Sequence, residues 1–338
     1  MKYITKSIWL LAFTVVICCI LYPAAVWLVG QAFFRFQADG SMVKGPDGNP
    51  VGSLLIAQPF TKAEYFQPRP SACSYDASAS SSSAIAASNY ALRGRVAGTL
   101  GPIATYKSGP NAGKPVAPDI EAWFQQDKFQ GAPSVVAQWA DAHNGMAQGW
   151  VKTDANHLQA IGDWGTAHPD IVKLFIKDNP AITTPQPTDL AVVYFEHFSK
   201  DHPGQFPSIV AQTGTDGKTT AVSIQPVKVG SDIQSNFFDM WLQDHPTADL
   251  QEVPGDLVTS SGSGLDPHIT LQNAKFQLDG VASKWAADTK RDPAAVRTEI
   301  DNILQANAAA PFGGLAGEKL VNVLEVNLEL RQRYGAPQ

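Results

Sequence analysis

The chain has 338 residues, a formal charge of −6 at neutral pH, and 44% hydrophobic against 17% charged residues. Setting aside Lys2 and Lys6 leaves −8 for the remainder, a balance that argues against nucleic acid as a partner. The three cysteines include only one, Cys73, beyond the first 35 residues, so neither a disulfide framework nor a thiolate metal site is expected.

Residues 8–34 form an uncharged apolar run broken only by Thr14, Tyr22, Pro23, Gly30 and Gln31. About 20 such residues suffice to cross a bilayer. A secretory signal has a shorter apolar region, and no small-residue cleavage site follows this one. Cys18 follows the bulky Ile17 and Cys19 follows another cysteine, neither the small residue of a lipoprotein signal. The run therefore reads as a permanent transmembrane helix. Lys2 and Lys6 precede it, and although Arg35 follows, the cation bias favours a cytoplasmic segment 1–7 and an extracytoplasmic body. Pro23 sits mid-span, where it should kink the helix or free a carbonyl for a neighbouring helix.

Beyond the span, 53–57 is a short strand candidate, and 74–88 (SYDASASSSSAIAAS) is a Ser/Ala tract expected to form an exposed loop. From about 115 to 250 the sequence reads as short helices with long connections. Within it, Asp216-Gly217 between β-prone runs signals a hairpin over 212–224. The same region repeats an aromatic residue four positions before a histidine: Trp139/His143, Trp164/His168, Phe198/His202 and Trp241/His245. One reading is a set of metal or haem ligands. The other is helix punctuation, because the last three histidines precede proline, which ends helices, and histidine suits a helix C-terminus. Toward the end, 270–287 is a helix candidate capped by Thr270. Asp292-Pro293 starts another that runs to about Asn307. Residues 321–334 alternate like a strand, yet they also carry Asn322 and Glu325 in a capping-box spacing that favours a helix.

Motifs for nucleotide chemistry fail. GPNAGKP (109–115) and GTDGKTT (214–220) are too short for a phosphate loop. Neither the phosphorylation sequence D-K-T-G-T nor a nucleophile elbow is present, and Glu196-His197 lacks the second histidine of H-E-x-x-H. SGSGLDPHIT (261–270) contains Ser263, Asp266 and His268, the residue types of a hydrolytic triad. Triad members come from distant segments, so a tight loop leading into the next helix and a partner-contacting surface are the competing readings.

Five stretches occur in a characteristic order: GSLLIAQPF (52–60), YFQPRPSA (65–72), Ser88-Asn89, VPGDLVTSSGSGLDPHIT (253–270) and VNVLEVNL (321–328). Together with the single N-terminal span, they resemble the C subunit of the Kdp potassium-transporting P-type ATPase. The resemblance covers roughly 1–90 and 250–334. Ala57 stands where glycine is more usual, and Leu100-Gly101-Pro102 arrives late after Asn89.

The resemblance implies an α+β fold: a transmembrane helix (8–34), a mixed α/β extracytoplasmic domain (35–94 and 251–338), and a largely helical insertion (95–250). It implies a non-catalytic, single-pass subunit of the inner (plasma) membrane. The expected partners are a channel-like A subunit, an ATPase B subunit and membrane lipid. ATP and potassium are handled by the complex, with no cofactor bound directly by this chain. Two roles follow from the family: stabilising the assembly and assisting potassium access, or acting as a catalytic chaperone that raises the ATP affinity of the ATPase subunit. ATP is cytoplasmic and the favoured topology puts the motif loops outside, so assembly is preferred. A membrane-anchored metal-dependent enzyme seated in the insertion is the alternative from another class.

The motif residues carried over are Gly52, Ser53, Gln58 and Phe60 at the junction of span and domain. Tyr65, Phe66, Arg69, Pro70 and Ser71 form an aromatic and guanidinium cluster suited to an interface or to an internal packing corner. Ser88 and Asn89 follow, then Ser263, Gly264, Asp266, Pro267 and His268 in the second loop. Asn322 is expected to cap a helix.

Overall fold

The computed structural model describes residues 2–45, 48–83, 85, 86, 88–129, 132–213, 219–315 and 317–337. The chain divides into two compact units, one formed by 1–83 with 254–338 and the other by 84–253.

The first unit begins with α1 (Lys2–Val16) and α2 (Tyr22–Phe33), joined by a widened π-helical turn at Ile17–Leu21. Pro23 explains the turn. It lacks an N–H, and its ring would strike the carbonyl four residues back in a regular helix; one extra residue in the preceding turn relieves the clash. Together Tyr3–Phe33 make an apolar helix of 31 residues with none of its most apolar window buried. At 1.5 Å per residue it is about 46 Å long, enough to cross a bilayer. The short α3 (Arg35–Ala38) leads to an antiparallel hairpin of β1 (Met42–Lys44) and β2 (Pro50–Ser53), which pairs Val43 with Gly52. Of the strand expected over 53–57 only Ser53 is in a strand, and the chain turns from residue 54 on. Ser53 Oγ donates to Gly40 O and accepts from Leu55 N at 3.1 Å, and this hydroxyl-centred turn redirects the chain as soon as the strand ends.

The second unit starts with α4 (Tyr90–Leu100) and α5 (Ala117–Gln125) and a minimal pair of strands, β3 (Lys128–Phe129) and β4 (Ala132–Pro133). Then come α6 (Val135–Ala142), α7 (Asn144–Thr153), α8 (Ala155–Ala167), α9 (Pro169–Asp178) and α10 (Ala191–Asp201). The antiparallel β5 (Phe206–Thr213) and β6 (Thr219–Val227) follow, and α11 (Ser231–Asp244) closes the unit. The turn of the expected hairpin at 216–217 lies outside the described residues. The core is aromatic. Trp139 meets Phe195, Phe206 and Phe237 with ring centroids 5.0, 5.4 and 5.5 Å apart, a separation at which edge and tilted ring contacts are favourable.

The recurrent histidines end helices in this unit. His143, His168, His202 and His245 are the C-terminal caps of α6, α8, α10 and α11. In three of them the ring Nδ1 donates to the carbonyl of the aromatic residue four back: His143 to Trp139 O (3.1 Å), His168 to Trp164 O (2.7 Å) and His245 to Trp241 O (2.8 Å). Each imidazole thus adds a second donor to a carbonyl that already accepts the histidine's own backbone N–H. Among the described residues no three His, Cys, Asp or Glu side chains gather where they could hold a metal ion.

The chain returns to the first unit through α12 (Gly255–Val258), β7 (His268–Thr270), α13 (Leu271–Thr289), α14 (Pro293–Asn307), β8 (Leu320–Asn322) and α15 (Val323–Tyr334). Side-chain caps fix the starts of the three long helices: Thr270 accepts from Asn273 N, Asp292 from Ala295 N, and Asn322 from Leu324 N and Glu325 N. The ambiguity over 321–334 has a structural answer. Residues 320–322 pair with β7 as a strand, and the helix begins at Val323. Trp285, Leu278, Val296, Ile300, Val326 and Leu330 fill the core between α13, α14 and α15. The protein is therefore α+β, with helices and four two-stranded sheets among the described residues.

Candidate functional site

Side chains on α13 and α15 hold the 65–72 segment. Asn327 accepts from Phe66 N and donates to Phe66 O, both at 2.9 Å. One residue on, Gln277 accepts from Gln67 N at 2.7 Å and donates to Gln67 O at 3.1 Å. An extended backbone without a partner strand is thus paired by two side-chain amides, which supply the donor and acceptor a neighbouring strand would offer. Phe66 is 1% exposed. Tyr65 packs between Phe60 and Trp285, and burial raises its phenol pKa, opposed by Arg331.

Arg69 and Ser71 join this segment to the loop at 259–268. Arg69 donates from Nε to Thr259 O and from Nη2 to Ser260 O, at 3.3 and 3.2 Å. Ser71 Oγ donates to Gly264 O at 2.6 Å and accepts from Tyr75 N at 2.9 Å. Pro70 lies half-buried between them. Gly264 has φ +71°, and a Cβ there would lie 2.6 Å from Ser81 O and 2.9 Å from Cys73 Sγ, so only glycine fits. The Ser/Ala tract lies along the same loop: Ser81 N and Ser80 Oγ both donate to Ser263 O, and Ser83 pairs with Ser260.

Within the loop, Asp266 and His268 are a pair. Asp266 Oδ1 accepts from both the backbone N and the Nδ1 of His268, each at 3.0 Å. The bond from His268 lowers the Asp266 pKa; burial opposes it, and the charges of His268 and Arg69 reinforce it. Ser263 takes no part in this pair. Its Oγ accepts from Leu265 N, which turns the hydroxyl onto its own loop. The arrangement therefore contains an oriented histidine with no nucleophile attached. Pro267 is buried and its carbonyl accepts from Val323 N at 3.0 Å, which fixes the loop to the start of α15.

Asn322 and the 52–60 segment complete the cluster. Besides capping α15, Asn322 donates from Nδ2 to Leu54 O at 2.8 Å. Ala57 N donates to Leu265 O at 2.8 Å. Gln58 Nε2 donates to Val51 O at 3.2 Å and occupies the space a side chain at Gly52 would need, since a Cβ there would fall 1.8 Å from it. Of the sequence-derived residues, Gly52, Ser53, Gln58, Phe60, Tyr65, Phe66, Arg69, Pro70, Ser71, Ser263, Gly264, Asp266, Pro267, His268 and Asn322 lie in the first unit. Ser88 and Asn89 belong to the second, where Asn89 caps α4 by accepting from Ala91 N at 2.9 Å.

The scaffold carries an open groove of about 520 Å³ on its surface, lined by Leu55, Ile56 and residues of the Ser261–His268 loop. Leu55 is 60% exposed there. Two partners of the scaffold, Asn327 and Gln277, escaped the sequence reading. Each stands as an amide within an apolar helical stripe, Asn327 beside Val323, Val326 and Leu330 and Gln277 beside Ala274, Leu278 and Val281, and that was the available signal.

The chain thus combines one N-terminal helix long and apolar enough to cross a membrane with an α+β body whose distant loops are tied into a scaffold. Comparison with known proteins gives the family: the sequence profile of KdpC, the K+-transporting ATPase c chain, matches residues 4–121 and 222–332, and the chain belongs to that family. It is 36% identical over 138 residues to the potassium-transporting ATPase KdpC subunit of Myxococcus xanthus, covering 40% of this chain and 64% of that protein. The KdpC subunit of Clostridium botulinum (strain Alaska E43 / Type E3) is 42% identical over 88 residues, 26% of this chain and 40% of the relative. That of Caulobacter sp. (strain K31) is 61% identical over 64 residues, 18% of this chain and 33% of the relative. The chain thus aligns with less than two thirds of the length of each of these curated relatives. It is also longer than they are, and the family match breaks between 121 and 222, inside the second unit.

Proposed function

We propose that this chain is a non-catalytic accessory subunit of an ATP-driven potassium import complex. Its N-terminal helix anchors it in the cell membrane with the N-terminus in the cytoplasm. The body lies outside, where it holds the channel-like and ATPase subunits in one assembly and borders the route by which potassium reaches the channel. The observation that carries this reading is the convergence of the family motifs. Residues 52–60, 65–72, 261–268 and 322, far apart in sequence, are bonded to one another. The groove above them is shallow and presents an exposed leucine. Such a surface suits contact with a protein, whereas a reaction centre needs a nucleophile aligned with its base.

The test compares potassium-stimulated ATP hydrolysis by membranes containing the channel-like and ATPase subunits, with and without this chain. An assembly role predicts loss of complex and activity together on omission, and a similar loss with Leu55→Asp in the groove. A lowered ATP affinity with the complex intact would instead support the catalytic-chaperone role.

A further inference from the structure

The second unit contains an open cavity of about 610 Å³ between α7, the start of α8, β5 and the first turns of α11. That volume lies in the range of small-molecule sites. His157 forms part of its wall and is 5% exposed. Its Nδ1 lies 2.7 Å from Trp150 O and must donate to it. One ring face stacks on the Trp150 indole with centroids 3.5 Å apart. His157 lines the cavity, and its Nε2 is a buried atom with no hydrogen-bond partner. With Nδ1 carrying the proton of a neutral ring, Nε2 offers a lone pair. Burial lowers the His157 pKa and so favours the neutral ring, against the opposing pull of Asp154 and Asp232.

Those two aspartates line the same cavity, and Asp232 also accepts from the Ser208 hydroxyl. Among the described residues, no lysine or arginine lines it. A buried acceptor without a donor costs about 1–3 kcal/mol, a penalty that a donor-bearing ligand removes. An anionic ligand would meet two carboxylates and no compensating cation. A bare alkali ion would leave most of the volume to water.

We propose that this cavity binds a small organic cation of the alkylammonium class, with its ammonium group at the Asp154, His157 and Asp232 wall and its carbon chain along Trp150. The ammonium supplies only donors, and this wall offers two carboxylates and an imidazole lone pair to receive them. Gly149 lines the cavity, and a Cβ built on it meets no atom within 4 Å, so a larger side chain can be placed there.

Titration calorimetry on the purified full-length chain in detergent tests this, with putrescine as the probe and glutarate as an anion of similar reach. Putrescine should bind saturably and glutarate should not. Asp232→Asn should weaken putrescine binding about tenfold. Gly149→Leu should abolish it by filling the cavity, while helix propensity at that position improves and the fold is kept. Absence of saturable putrescine binding, equal binding of glutarate, or an unchanged putrescine affinity in Gly149→Leu would overturn the assignment.

Discussion

Asn327 grips Phe66 with both atoms of its amide, accepting from the backbone N–H and donating to the backbone carbonyl at 2.9 Å each. The two residues are 261 positions apart, and each is 2% exposed or less. The contact ties the N-terminal family motif to the C-terminal helix on which Val326 and Leu330 reach the core. Replacing Asn327 by Ala leaves a buried N–H and a buried carbonyl without partners, at a cost of roughly 2–4 kcal/mol. Denaturant unfolding of the Asn327→Ala variant should show a loss of that size. An unfolding midpoint equal to that of the parent would show that the clamp is not a source of stability.

The two glycines of SGSGLDPHIT should respond differently to the same substitution. Gly264 has positive φ and no room for a Cβ, whereas a Cβ at Gly262 meets no atom within 4 Å. Gly264→Ala should lower stability by about 2 kcal/mol or more, combining left-handed strain with a steric clash. Gly262→Ala should be close to neutral. Equal effects at the two positions would refute this loop geometry.

Acid should release the contact between α14 and α15. Glu299 accepts from Arg291, Arg333 and the Tyr334 hydroxyl. These bonds, led by that of Arg291, lower its pKa from 4.5 to about 2. A folded-state pKa below the unfolded one means that the carboxylate stabilises the fold fully above pH 4.5 and loses that contribution as the pH falls towards 2. The difference in unfolding midpoint between the parent and Glu299→Gln should therefore be constant from pH 7 to about 5 and shrink steadily below that. A difference that does not change with acid would rule out the linkage.

Gly52 and Gln58 form a testable pair. A Cβ at Gly52 displaces the Gln58 amide from Val51 O. Gly52→Ala should cost about 1 kcal/mol in the parent and clearly less in a Gln58→Ala background, a coupling that a double-mutant cycle reads directly. Strict additivity would show that the two side-chain positions do not compete.

Much of the fold was legible because local chemistry speaks plainly at helix ends. Thr270, Asp292-Pro293 and Asn322 have the side chains that cap helices, and each does so here. The His-Pro helix ends could be read in the same way, and the structure adds what no spacing reveals, the imidazole bond back to the aromatic residue's carbonyl. The turn after Ser53 was hidden because LLIA has the composition of a strand, and the Ser53 hydroxyl decides otherwise through a partner, Gly40, that is distant in sequence. The same limit applies to the site. Residues of the 65–72 and 261–268 motifs could be named from the sequence, but their mutual bonding could not, because Arg69, Ser71 and Asn327 act on backbone atoms more than 180 positions away. The direction of the Ser263 hydroxyl, which decides whether the loop is a triad, is set by its bond from Leu265 N, a detail of geometry alone.

The most direct test of the accessory-subunit account is affinity purification of this chain, tagged at its C-terminus, from membranes that also contain the channel-like and ATPase subunits. The account predicts that both subunits are recovered with it and that the recovered complex hydrolyses ATP in response to potassium. Recovery of the chain alone, with undiminished potassium-stimulated hydrolysis by the other two subunits in its absence, would contradict it.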